Sequence, residues 1–193
     1  MLRQKTLDSL EKPRQDPVDA ETLDRAKDII AEVRSGGDKA LRECIERFEQ
    51  RKPSSLLLEQ DHLESAFARL SETDKSLLER TRARIDAFAR AQRQSLSNLE
   101  MPIPGGVVGH QLAPVQRAAC YAPGGRFPLP SSVLMTAVTA RAAGVGQVVV
   151  VTPSDEDIML GAAFVAGAHQ LLLAGGAHAV AAVTYGTESI QSV

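Results

Sequence analysis

From about residue 17 to 96 the apolar positions recur every three or four residues. Leu23, Ala26, Ile30 and Val33 form one stripe, and Leu41, Cys44, Ile45 and Phe48 a second. Leu63, Ala66, Phe67 and Leu70 form a third, and Leu77, Thr81, Ile85 and Phe88 a fourth. Residues at this spacing share one face of a helix, so the pattern predicts four amphipathic helices. Gly36 and Gly37 suit a left-handed end to the first, and Asp38 offers a side-chain oxygen to start the second. Pro53, Ser54 and Ser55 mark the next break, and the stretch from Ser71 to Asp74 supplies another start.

The pattern then changes twice. Between Ser97 and Gln116, Pro102, Pro104, Gly105, Gly106 and Pro114 surround short apolar runs such as Val107 and Val108, which suits a turn with extended chain or a hairpin. From about 117 onward short β-type runs alternate with helical stretches. A strand ending near Tyr121 leads into a helix over Ser131 to Ala143, with Ser131 and Ser132 where an N-cap belongs. Gln147 to Thr152 is a buried strand stopped by Pro153. Asp155, Glu156 and Asp157 suit the positive start of a helix reaching about Ala166. Gln170 to Leu173 is a third strand, and Gly175 and Gly176 open a last helix over Ala177 to Thr184.

Short strand–helix connections of this kind imply parallel pairing. The expected fold is therefore α/β: a helical N-terminal module over 1–96, an extended or hairpin connection over 97–116, and a Rossmann-like unit over 117–193. Three strands make an incomplete parallel sheet, so one edge needs cover from elsewhere.

Charge and composition narrow the function classes. Twenty-two Lys and Arg against 24 Asp and Glu leave a formal charge of −2, which gives no electrostatic reason to expect nucleic acid or an anionic membrane as partner. Arg80, Arg82, Arg84, Arg90 and Arg93 are interspersed with Glu72, Glu79 and Asp86 and read as a solvated face. No stretch is apolar enough to span a bilayer and the N-terminus has no signal-peptide core, so a cytoplasmic location is expected. Cys44 and Cys120 are expected as buried thiols rather than a disulfide. His62, His110 and His169 show no ligand spacing, so no metal site is expected from this chain alone.

In a parallel sheet, ligands bind beyond the carboxyl ends of the strands. Two glycine loops fall there, Pro123-Gly124-Gly125-Arg126 and Gly175-Gly176-Ala177-His178. Each precedes a helix, where free N–H groups favour a phosphate or carboxylate, although the residues unaided read first as a plain tight turn. Neither is the G-x-G-x-x-G fingerprint. Tyr121 at a strand end and His178 at a helix start could contact a ligand there or serve the core and the cap.

The run from Tyr121 to Ala137, YAPGGRFPLPSSVLMTA, resembles the Tyr-x-Pro-Gly-Gly segment and following helix of histidinol dehydrogenases. Gly175-Gly176-Ala177-His178-Ala179-Val180-Ala181-Ala182 with Tyr185-Gly186-Thr187-Glu188-Ser189 resembles the next block of that family, and Gly37-Asp38-Lys39-Ala40-Leu41-Arg42 its N-terminal helices. The resemblance implies an NAD-dependent, zinc-requiring homodimer that oxidises L-histidinol to L-histidine. It makes Tyr121, Gly124, Gly125, Gly175, Gly176 and His178 the cofactor-binding candidates. His178 stands where the family usually carries glutamine, and a histidine cannot present an amide's paired donor and acceptor. Thr139 likewise replaces a usual proline.

The family's Gly-Pro-Gly-Asn loop, its zinc ligands and its Glu-His acid–base pair follow later in its sequence and have no counterpart here. The expectation is a chain inactive alone, without catalytic or metal residues of its own, that forms a homodimer or associates with a full-length or C-terminal dehydrogenase chain. Two other readings stay open: a shortened non-catalytic paralogue that binds a nucleotide or pairs with a full-length enzyme, and a related dehydrogenase of another small alcohol.

Overall fold

The computed structural model describes residues 18–124 and 127–193. Helix α1 (Ala20–Glu49) begins at Asp19, whose carboxylate accepts the Thr22 N–H at 2.8 Å. It is broken at Gly37, where φ 56° and ψ −142° leave the helical region, so the two predicted helices run end to end across a kink. Strand β1 (Leu57–Glu59) and helix α2 (Gln60–Arg69) follow, then α3 (Glu72–Gln94), whose start is capped by Ser71. Strands β2 (Leu99–Ile103) and β3 (Gly106–His110) form an antiparallel hairpin with Pro104 and Gly105 at its tip. Gly105 has φ 86°, as the third position of a Pro-Gly turn requires.

The remaining elements alternate as the hydrophobic pattern predicts: β4 (Arg117–Tyr121), α4 (Pro130–Ala142), β5 (Gln147–Thr152), α5 (Asp157–Val165), β6 (Gln170–Leu173) and α6 (Gly176–Tyr185). Strands β4, β5 and β6 are parallel, in the sheet order β1-β6-β5-β4. The edge that needed cover belongs to β6. It is closed by β1, which runs antiparallel to it with Leu58 opposite Leu171.

Side-chain alternation along the strands assigns the layers. Val148 and Val150 of β5, with Leu171 and Leu173 of β6, enter one apolar cluster with Leu63, Leu134 and Met159 from α2, α4 and α5. Val149, Val151 and Leu172 point the other way, into a cluster with Val33, Leu41, Ile45, Ala179 and Ala182 from α1 and α6. A strand buried on both faces has no polar side, which explains the unbroken Val148-Val149-Val150-Val151 run. Both clusters draw residues from before and after the 97–116 stretch, so the N-terminal helices form the layers over the sheet. Cys44 and Cys120 are buried free thiols.

Three local expectations differ from the structure. Asp38 does not cap its own helix. Its backbone N–H donates to Glu188 Oε2 at 2.7 Å, while its carboxylate accepts the hydroxyls of Thr187 and Ser189. Ser131 and Ser132 are not the N-cap of α4, because Leu129 holds that position and Pro130 starts the helix with a ring that needs no N–H partner there. On α3 the buried residues are Leu78 and Ala89, whereas Leu77 and Phe88 face outward at 48% and 66% exposure. A helix with apolar residues on two sides leaves periodicity alone unable to choose which one packs.

Candidate active-site cleft

The carboxyl ends of β4, β5 and β6 open into a cleft of about 510 Å³. Tyr121, Pro123 and Gly124 line it from the end of β4, Pro153 from β5, and Gly175, Gly176 and His178 from the β6–α6 turn. The structure thus brings together the described members of the two glycine loops, as a parallel sheet must. Gly125 and Arg126 lie outside the described residues. The fourth wall was not foreseen: Phe48, Glu49 and Arg51 arrive from the C-terminal end of α1.

Glu49 organises this end of the sheet. Its Oε1 accepts the Gly175 N–H at 2.8 Å and the Nε2 of His178 at 2.8 Å. Its Oε2 accepts Nε and Nη2 of Arg51 at 2.9 and 2.5 Å. Arg51 also donates to the Leu173 carbonyl at 3.0 Å, which ties the strand end to the same group. Burial alone would push the Glu49 carboxyl upward. The hydrogen bonds from His178, the Gly175 N–H and Arg51 outweigh it and hold the group below the ordinary glutamate range.

This arrangement changes the meaning of the second glycine loop. A helix start following Gly-Gly was expected to favour a phosphate or carboxylate, and it does hold one: the protein's own Glu49. A ligand phosphate at the same point would meet that charge. Gly175, moreover, is tightly packed, since a Cβ would lie 3.0 Å from the Pro153 ring. Gly124 is similarly closed, with Ser154 Cβ at 2.8 Å and Thr152 Oγ1 at 3.1 Å from the position a Cβ would take. These two glycines let neighbouring loops pack against one another. Gly176 is needed for its φ of 63°.

Tyr121 and His178 remain as polar groups facing the cleft. The Tyr121 hydroxyl accepts the Gly176 N–H at 3.2 Å, so it bridges the two loops while its own proton stays available. His178 is 3% exposed and stacks on Phe48 with ring centroids 5.7 Å apart. The other chemistry-bearing residues serve structure. His169 Nδ1 accepts the Val148 N–H at 2.9 Å, and His110 bonds the Ser97 carbonyl at 3.0 Å. Among the described residues no group of three or more His, Cys, Asp or Glu could hold a metal ion, and no described helix is long and apolar enough to cross a membrane.

Sequence reasoning missed Glu49 and Arg51 because nothing local marks them. Glu49 meets Gly175 across 126 residues and His178 across 129, and in the sequence it is one of many charges on a helix. The apolar stripe put Phe48 on the core face of its helix, but it is 50% exposed and stacks on His178 beside the cleft.

Comparison with known proteins agrees with the architecture. The family model described as histidinol dehydrogenase matches residues 12–193. Histidinol dehydrogenase of Pseudomonas aeruginosa is 41% identical over 176 residues, 88% of this chain and 40% of that protein. That of Parasynechococcus marenigrum is 40% identical over 170 residues, 86% of this chain and 39% of that protein. This chain therefore spans about two fifths of the length of such relatives. The crystal structure of histidinol dehydrogenase from Elizabethkingia anophelis superimposes with a TM-score of 0.83 at 24% identity, covering 98% of this chain and 45% of that one, and shares the fold. With its glycine blocks, its parallel sheet and a family match running from residue 12 to the end, this chain belongs to the histidinol dehydrogenase family.

Proposed function

We propose that this chain forms the dinucleotide-holding part of an NAD-dependent oxidoreductase of the histidinol dehydrogenase type, acting in histidine biosynthesis. The observation that carries the reading is the convergence of Tyr121 and His178 on one cleft at the carboxyl ends of parallel strands. Its volume of about 510 Å³ suits part of a dinucleotide rather than all of it. NAD, when bound, supplies the acceptor for a hydride from the alcohol carbon.

This chain's residues bind and orient. Tyr121 gives its hydroxyl proton to a ligand oxygen while the Gly176 N–H holds the ring in place. Phe48 and Pro123 supply apolar wall, and the half-buried Glu49–Arg51 pair keeps the β6–α6 turn from shifting when a ligand enters. The α6 start is already neutralised by Glu49, so a ligand pyrophosphate does not belong there. Zinc does not fit the described residues, which contain no suitable ligand cluster. We expect activation of the alcohol to come from groups outside the described residues, and the chain alone to be inactive.

A second observation bears on partners. Leu99, Met101, Ile103, Val107 and Val108 of the hairpin are all exposed, at 41–59%. Such an apolar ribbon supports association with a second copy or with the rest of a dehydrogenase. The cofactor assignment is tested by calorimetry with NAD⁺ on the purified chain and on Tyr121→Ala. Saturable binding that weakens about tenfold or more in the variant, some 1.4 kcal/mol, is expected. Absence of binding at millimolar NAD⁺ by a folded chain would overturn the assignment.

A further inference from the structure

The Glu49 carboxylate faces donors on all sides: the Gly175 N–H and His178 on Oε1, and two guanidinium N–H groups of Arg51 on Oε2. An ionised carboxylate can only accept, so the ring nitrogen facing it, Nε2, must carry a proton. In the neutral ring that hydrogen bond fixes the proton on Nε2 and leaves a bare lone pair on Nδ1, on a side chain that is 4% exposed.

His178 lines the cleft, and its Nδ1 lies beside Gly176. A Cβ on Gly176, itself a cleft residue, would sit 3.4 Å from His178 Nδ1. Among the described residues the buried side-chain nitrogen or oxygen left without a partner is Arg117 Nε, so Nδ1 is not sealed away. We infer that Glu49 is a positioning residue that fixes His178 in its Nε2–H tautomer, so that the cleft offers its ligand one hydrogen-bond acceptor and selects a ligand carrying an N–H or O–H donor. The ligand half of this inference rests on the dinucleotide reading above. In such a ligand the donors are the carboxamide of the nicotinamide ring, the adenine amino group and the ribose hydroxyls. A glutamine at this position would present both donor and acceptor, whereas the Glu49–His178 pair presents an acceptor alone, and a ligand carboxylate set against Nδ1 would meet a lone pair and a neighbouring negative charge.

The tautomer is measured without any ligand, by nitrogen-15 NMR of the histidine rings in the whole chain near neutral pH, with His178 assigned through His178→Gln. A protonated Nε2 with bare Nδ1 is expected in the wild type, an averaged pair of tautomers in Glu49→Ala, and the wild-type pattern in the size-conserving Glu49→Gln, whose amide oxygen can still accept. A doubly protonated ring, a protonated Nδ1, or no change in a folded Glu49→Ala overturns the positioning role. NAD⁺ and its analogue with a carboxylate in place of the carboxamide are then titrated, following both affinity and the Nδ1 resonance. Binding of NAD⁺ at least tenfold tighter, with the Nδ1 signal shifted, assigns the carboxamide as donor. Equal affinities with the signal shifted in both complexes assign a ribose hydroxyl or the adenine amino group. Binding that leaves Nδ1 unmoved overturns the selection while the dinucleotide reading stands. Failure of both ligands to bind overturns that reading and the selection with it, and leaves the tautomer result to decide the role of Glu49.

Discussion

Replacing Gly37 by alanine tests how firmly the C-terminal segment is clasped to the long helix. Gly37 adopts φ 56° and ψ −142°, a conformation almost confined to glycine, and forcing a side chain into it costs about 1–3 kcal/mol. The new Cβ would also lie 2.5 Å from Glu188 Oε1. The carboxylate must then swing away and release the Asp38 N–H, which it holds at 2.7 Å at the start of the second half of α1. A hydrogen bond to a charged group is worth up to ~3 kcal/mol when buried, but this one is solvent-exposed and we assign it about 1 kcal/mol. The sum is roughly 2–4 kcal/mol, which for a chain of this size lowers the melting temperature by about 5–15 °C. Urea and thermal unfolding followed by circular dichroism measure it. Gly105→Ala is the control, because Gly105 has φ 86° with no atom near its missing Cβ, and it should cost only the backbone term of about 1–2 kcal/mol. Adding Glu188→Ala to Gly37→Ala should bring little further loss, since the contact is already broken. A Gly37→Ala penalty below about 1 kcal/mol would refute both the strain and the clasp.

Two further outcomes follow from the cleft. Because the Glu49 carboxyl is held below its ordinary range, its contribution to stability is complete above that range and is lost as pH falls through the lower folded value. Urea midpoints measured between about pH 6 and about pH 3 should therefore fall more steeply in the wild type than in Glu49→Gln, and equal slopes would contradict the proposed hydrogen-bonded carboxylate. Gly124→Ala should destabilise by about 1–3 kcal/mol through overpacking against Ser154, and Ser154→Gly in the same chain should recover much of it. An unaltered Gly124→Ala protein with recovered ligand binding would show that the loop relaxes freely.

Most elements of the sheet could be read from the chain because their signals are local. The Val148-Val149-Val150-Val151 run, the stop at Pro153 and the acidic start of α5 each depend on residues a few positions apart. Strand β1 was missed for the opposite reason. Leu57, Leu58 and Glu59 are three residues of extended chain, too short for any periodicity, and they become a strand only because β6 presents an open edge. The outward turn of Leu77 and Phe88 has the same origin: α3 has apolar residues on two faces, and its packing against α4 chooses between them.

The sequence by itself determined the α/β class, the order of its alternating elements in the second half, and the two glycine turns that must meet at one end of a parallel sheet. It did so because helical and extended periodicities are written in neighbouring residues, and because parallel strands joined by short crossovers leave their carboxyl ends on the same side. Tertiary structure alone decided what stands at those turns. Whether the amides before α6 face solvent, a ligand or a protein carboxylate depends on where the far end of α1 arrives, and no local pattern encodes a meeting across 126 residues. Folding brings Glu49 to that spot, fills the anion site from within, and leaves Tyr121 and His178 as the polar groups that address the cleft.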